Sequence, residues 1–263
     1  TTADYALNSV QGASGPLAST ARSDIYNLDK DAASTTGTVG SVITLTGNAT
    51  TAEGSANRVS NALSASATDN GATAGLNNSQ ASDADVTVNA VSTVGTTLAG
   101  AGIVVAATNS SISVDGNSTT ALARGNSASN ALNYNDTSYS GPTNLAAITD
   151  TTSVAAAISM RNGQTNSGAL NATSTGAAYN VSLDAAATVA AGALNSSAKL
   201  ANNTVAANGF GNVASNSMNV TTAGDNAPSA VVLNAQSNDA TGTVTTLATG
   251  TTFTLALNSD GIG

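Results

Sequence analysis

None of the 263 residues is cysteine, histidine or tryptophan, and aromatic side chains make up only 3%. Without cysteine there are no disulfides and no thiolate metal sites. Without histidine the chain lacks the commonest acid–base group and metal ligand. Scarce aromatics argue against a conventional globular core. Charge is equally thin: 8% of residues are ionic, and 6 basic against 15 acidic residues give a net charge of −9. That sign repels phosphate backbones and anionic lipid, so neither nucleic acid nor a membrane surface is an expected partner. No apolar run is long enough to span a bilayer, and membrane insertion is not expected. No basic segment followed by an apolar run opens the chain, and Thr1-Thr2-Ala3-Asp4 reads as a mature end left after signal-peptide removal.

What remains is alanine, valine and leucine within a 41% hydrophobic fraction, set among asparagine, serine, threonine and 25 glycines. Such a mixture suits thin backbone layers with small interior side chains. Regular Val, Ile and Leu positions and low charge argue against disorder.

One phrase recurs three times: Gly47-Asn48-Ala49-Thr50 with Asn57 and Asn61, Gly116-Asn117-Ser118-Thr119 with Asn126 and Asn130, and Asn202-Asn203-Thr204-Val205 with Asn212 and Asn216. In each, the asparagines stand 9 and then 4 residues apart, and the copies start 69 and then 86 residues apart. A second marker keeps step with the first. Leu7, Leu76, Met160 and Leu233 lead into Gln11, Gln80, Gln164 and Gln236, and the first three glutamines precede Asn48, Asn117 and Asn203 by 37, 37 and 39 residues. Six residues beyond those glutamines come Leu17, Val86 and Leu170. The chain therefore reads as a single repetitive domain of duplicated units, approximately 7–75, 76–159, 160–232 and a partial unit 233–263.

Alternation of apolar and small polar residues marks strands at Val86-Thr87-Val88, Ile112-Ser113-Val114, Val244-Thr245-Thr246-Leu247 and Phe253-Thr254-Leu255-Ala256-Leu257. Turn signals lie at Asn70-Gly71, Asp115-Gly116, Asn162-Gly163, Asn208-Gly209 and Asp260-Gly261. Only the stretch from Asp184 to Gly192 could form a helix. The expected fold is all-β, a repetitive β-solenoid of short strands and Asn/Gly turns. Three coils of about 23 residues per unit would give about eleven coils and a rod of about 50 Å. The asparagines at 48, 57, 61, 117, 126, 130, 203, 212 and 216 and the four glutamines are the candidate structural residues. Asn48, Asn57, Asn61, Asn117, Asn126, Asn130, Asn203, Asn212 and Asn216 are expected to stack their amides from coil to coil, to occupy left-handed turn positions, or both.

The segments Asn208-Gly209-Phe210-Gly211-Asn212-Val213-Ala214 and Gly125-Asn126-Ser127-Ala128 resemble the Gly-x-Gly-Asn-x-Ala turn of curli-type fibre subunits. Ser110-Ser111-Ile112-Ser113-Val114 looks like the strand that leads into that turn. The Asn-x-x-x-Asn-x-Leu ending is similar to repeats of other bacterial functional amyloids and of holdfast-anchor proteins. The resemblance implies a secreted, self-assembling bacterial surface fibre with a β-solenoid-like backbone.

Catalytic chemistry finds little to work with. There is no Gly-x-Ser-x-Gly elbow, and no catalytic or cofactor-binding residue is expected. Arg22 with Asp24, Asp29 and Asp31 is the one cluster that a polysaccharide-processing β-helix enzyme could use. The spacing does not make a calcium loop, though calcium is the one metal these carboxylates, or Asp83 and Asp85 on one face of a strand, could take. Arg58 and Arg124 do not occupy equivalent positions. Tyr5, Tyr26, Tyr134, Tyr139 and Tyr179 do not recur in register, so no stacking platform is expected.

An open-ended solenoid without evident caps presents unpaired strand edges, and a head-to-tail contact that does not close makes a filament. The expected function is a structural subunit of a bacterial extracellular fibre, joined head to tail or by terminal strand exchange, serving adhesion or biofilm matrix. Its expected partners are its own copies, with a surface polysaccharide or an outer-membrane anchor protein. The alternatives are a monomeric solenoid adhesin or passenger shaft, and the polysaccharide-processing enzyme.

Overall fold

The computed structural model describes residues 3–23, 38–40, 42–68, 71–92, 102–104, 107–109, 111–141, 143, 156–176, 179–184, 197–223, 226–239, 241–249 and 253–258. These residues form strands and the turns between them, with no helix among them. In chain order come Tyr5–Ala13 (β1), Leu17–Ser23 (β2), Thr38–Val39 (β3), Val42–Thr46 (β4) and Ala49–Ala67 (β5). Then follow Ala74–Ser82 (β6), Val86–Ser92 (β7), Gly102–Val104 (β8), Ala107–Thr108 (β9), Ser111–Asp115 (β10) and Ser118–Asp136 (β11). A third round runs Ile158–Asn166 (β12), Leu170–Thr175 (β13), Tyr179–Asp184 (β14), Ser197–Ala201 (β15) and Thr204–Thr222 (β16). Ala230–Asn238 (β17), Val244–Thr249 (β18) and Phe253–Asn258 (β19) complete the described chain.

Every pairing among the described residues is parallel, and each strand pairs with its counterpart one round away. A leading sheet is ordered β1-β6-β12-β17, a second sheet β2-β7-β13-β18, and a long sheet of 19-residue strands β5-β11-β16. Three smaller sheets are ordered β4-β10-β15, β8-β14-β19 and β3-β9. The architecture is consistent with a β-helix or solenoid-like fold.

The interval between paired strands corrects the expected coil. Asn57 meets Asn126 69 residues away, so one round consumes the whole interval and not a third of it. Eleven coils and a 50 Å rod do not form: the leading sheet has four strands, spanning about 14 Å at about 4.8 Å per spacing. The reason is side-chain identity. Only at the full interval does Gln meet Gln, Asn meet Asn, and Leu17 meet Val86 and Leu170.

The long sheet is covered by the leading and second sheets. Its first half packs on the second sheet, where Ala52, Ala121 and Ala123 meet Val86, Val88, Ala90, Leu170 and Ala172. Its second half packs on the leading sheet, where Ala65, Leu132 and Tyr134, with Tyr139 beyond the end of β11, meet Leu76, Ile158 and Met160. Alanine on the long strands against branched residues opposite lets the layers approach closely despite the lack of aromatics.

Two expected turns lie inside strands. Asn208-Gly209 sits in β16, where a Cβ on Gly209 would come within 2.6 Å of Val244 Cγ1; this glycine permits close packing, not a bend. Asn162-Gly163 sits in β12, with the Asn162 amide hydrogen-bonded between layers. Asp83 and Asp85 occupy the turn between β6 and β7 and not a strand, and Asp85 accepts a hydrogen bond from the Ala169 backbone N–H at 2.8 Å. The fourth apolar lead-in is Val232, which lies opposite Met160; Leu233 lies opposite Arg161. Asp184 ends β14, and residues 185–192 lie outside the described residues, as do Asn70, Asp260 and Gly261.

Candidate functional site

Between the two apolar clusters runs a stripe of amide side chains. Each long strand lies in height between two successive leading strands. Gln11 on β1 donates through Nε2 to the Arg58 carbonyl on β5 at 3.3 Å, and Asn57 on that same β5 donates through Nδ2 to the Ala81 carbonyl on β6 at 2.8 Å. The pattern recurs with Gln80 to Ser127 and Asn126 to Thr165, then with Gln164 to Val213 and Asn212 to Ser237. A backbone carbonyl can only accept, so these contacts fix which end of each amide is nitrogen.

The second N–H of each amide continues along the layers. Asn57 donates to Asn126 at 2.8 Å and Asn126 to Asn212 at 2.7 Å; Asn61 donates to Asn130 and Asn130 to Asn216, both at 2.8 Å. The glutamines run the other way: Gln80 donates to Gln11, Gln164 to Gln80 and Gln236 to Gln164, at 2.7, 2.7 and 2.6 Å. Two neighbouring columns of aligned amide dipoles therefore oppose each other, which limits the field their alignment would otherwise build. Asn126 and Asn130 are 0% and 1% exposed, so each buried amide meets its hydrogen-bonding needs inside the protein.

Asn48, Asn117 and Asn203 stand apart, at the turn before each long strand. Asn48 Nδ2 donates to Asn117 Oδ1 and Asn117 Nδ2 to Asn203 Oδ1, both at 2.8 Å, and each upstream backbone N–H donates to the same oxygen. The residue before each is Gly47, Gly116 or Asn202, all at positive φ (67°, 68° and 54°). Glycine reaches this region freely and asparagine at small cost, so the left-handed position falls one residue before the stacked amide.

A further column, Asn78 to Asn162 to Asn234, was not among the candidates, although Asn-x-Gln recurs at Asn78-Ser79-Gln80, Asn162-Gly163-Gln164 and Asn234-Ala235-Gln236. The Gly-Asn segment that suggested a turn lies within the long strand, where Gly125 and Asn126 are both buried and interrupt the alternation. A Cβ on Gly125 would lie 2.3 Å from Asn166 Oδ1, and one on Gly211 would lie 2.6 Å from Asn238 Oδ1. In the first round the residue equivalent to Gly125 is Ala56, and the position in register with Asn166 is the smaller Ser82. Among the described residues Asn166 Oδ1 is buried without a partner. Supplying it with an amide through Ser82→Asn should clash with Ala56 when made alone. Combined with Ala56→Gly it should stabilise the fold by about 1 kcal/mol, read by chemical denaturation. Additive effects of the two changes would refute this coupling.

Of the other candidates, Arg58 and Arg124 both converge on Glu53, the former at 3.6 Å. Arg22 lies exposed on β2, while Asp24, Asp29 and Asp31 lie outside the described residues. Among the described residues no three acidic side chains gather as metal ligands would. Tyr134 and Tyr139 meet edge to face with centroids 6.5 Å apart, the Tyr134 hydroxyl lying 2.9 Å from the Ala72 carbonyl and 3.1 Å from Asp136. Tyr5 is partly exposed, and Tyr26 and the Tyr179 side chain lie outside the described set. Burial, then the Asp136 hydrogen bond, pushes the Tyr134 phenol far above its usual value of 10.0, and burial raises Tyr139. The unfolded chain releases these protons at a pH near 10 while the folded chain keeps them. Stability is thus complete below about pH 10 and falls as pH rises beyond it. Melting temperatures should drop above that pH, and Tyr134→Phe should flatten the drop; an unchanged slope would exclude Tyr134 as its source.

No family model, curated protein or solved structure matches the chain.

Proposed function

We propose that this chain is a structural subunit of a bacterial extracellular fibre, built from duplicated units whose strands stack on those of the next copy. The observation that carries the reading is one register column. Val86 and Leu170, in its middle, are both 0% exposed, whereas Leu17 and Val244, at its two ends, are 37% and 41% exposed. Val232 likewise is 45% exposed opposite a wholly buried Met160. Among the described residues both outer layers thus offer interior-type apolar positions on strands that pair on one side, which a further strand of the same kind would cover. The contact is head to tail and does not close, the condition for a filament.

The bacterial, extracellular part of the reading rests on the resemblance of the Gly-Asn segments to curli-type and related fibre repeats, with adhesion or biofilm matrix as the role. Among the described residues the amides of the stripe bond to one another and to backbone carbonyls, which supports reading the stripe as a scaffold. Electron microscopy and sedimentation of the purified protein provide the test. Unbranched filaments that lengthen with time are expected; discrete particles that never elongate would overturn the proposal in favour of a monomeric shaft.

A further inference from the structure

Among the described residues the leading and second sheets have four strands each, while the long sheet and the β4-β10-β15 sheet have three. Each long strand fills the interval between two leading strands, so three fill every interval between four. Two copies of these 263 residues therefore cannot be joined with all strands kept in place. If β5 of a second copy pairs with β16, the seat of its β1 and β2 is already taken by β17 and β18 of the first. If its β1 instead pairs with β17, then β16 and the second copy's β5 stand two spacings apart, about 9.6 Å, with no strand between them.

We infer that copies join by strand exchange: β17 and β18 of one copy replace β1 and β2 of the next, whose β5 then pairs with β16. This deepens the fibre reading and rests on it. The unspent hydrogen-bonding groups match that joint. Among the described residues, the Asn216 amide and the second N–H of Asn212 meet no acceptor, while Oδ1 of Asn57 and of Asn61 meets no donor. Pairing β5 with β16 sets donor against acceptor in the same sense as the inner columns.

The exchanged strand is also the better occupant of its seat. Gln236 can accept from Gln80 of the next copy and donate to its Arg58 carbonyl, as Gln11 does within one copy. Asn234 adds an amide opposite the next copy's Asn78, where β1 has only Ser9. Val232 and Val244 replace Leu7 and Leu17. Pairing on β6 and β7 is thereby kept nearly whole, with strands of 9 and 6 residues for 9 and 7. The joint then gains the new pairing of β5 with the 19-residue β16 and of β4 with the 5-residue β15. Unexchanged stacking gains only β1 on β17 and β2 on β18.

The absence of cysteine makes the test direct. Ser60 and Ser215 are exposed and both lie opposite Ser129. In the exchanged joint Ser60→Cys and Ser215→Cys of neighbouring copies would be about 4.8 Å apart at Cα, within disulfide reach, whereas within one copy they are about 9.6 Å apart and out of reach. Val10→Cys with Ala235→Cys reports the unexchanged stack, because both lie on the strand edges that meet only there. Mild oxidation of filaments should give covalent multimers from the first pair and not from the second. Deleting residues 1–23 should shorten the assembly lag about tenfold to a hundredfold, by removing the need to populate an opened minor state. Cross-linking through the second pair alone, or a lag unaffected by the deletion, would overturn the exchange and leave the fibre reading standing. Failure of every variant to assemble or cross-link would overturn both.

Discussion

Replacing Asn126 with leucine should destabilise the monomer by about 3–6 kcal/mol, a large share of the stability of a single domain. Leucine matches the volume but removes three bonds at once: one accepted from Asn57 and those donated to Thr165 and Asn212. Asn57 is buried and Asn212 half-buried, and an unsatisfied buried polar group costs about 1–3 kcal/mol. Asn57 and Asn212 keep their bonds to Ala81 and Ser237, so they stay anchored in orientation and cannot turn to find substitutes. The added apolar contact recovers little, because the site lies between the two apolar clusters. Asn8→Ala, on an exposed amide that pairs with Asn77, should change stability by no more than about 0.5 kcal/mol. Urea titrations at low protein concentration would measure both. A loss below about 1 kcal/mol at Asn126 would show that the buried amide column contributes little beyond its backbone pairing.

The residues that meet between layers were largely legible as spacing. Asn48, Asn57 and Asn61 stand 69 residues before Asn117, Asn126 and Asn130, and those pairs lie in register. The four glutamines behave alike. Identity at fixed spacing is a strong signal, because an amide column gains its second hydrogen bond only where the next layer also carries an amide. The length of one round was not legible. It depends on how the strands of a round fold across one another, seen in contacts such as Gln80 with Ser127, 47 residues away and without any echo in local alternation. Glycine misled for a related reason. Gly125, Gly209 and Gly211 mark close approach of one sheet to another, a tertiary demand that has the same sequence appearance as a turn.

The column Leu17, Val86, Leu170 and Val244 should respond to truncation according to layer. Leu170→Ala removes a side chain that is 0% exposed and packed among Val86, Val88 and the long-strand alanines, and should cost about 2–5 kcal/mol in the isolated monomer. Val244→Ala removes a side chain that is 41% exposed with a neighbouring layer on one side only, and should cost about 1 kcal/mol or less. The order reverses for assembly. In the exchanged joint Val244 gains a second layer, the next copy's Val86, and becomes an interior position like Leu170 now is. The burial it has yet to gain is then lost at every joint, so Val244→Ala should raise the critical concentration for filament growth by about tenfold for each 1.4 kcal/mol forfeited. Sedimentation of filaments against free subunit would give that concentration, and calorimetry of the monomer its stability. A Val244 variant that melts like the parent but assembles poorly would place this residue at the joint. One that assembles at the parent's critical concentration would remove the C-terminal edge from it.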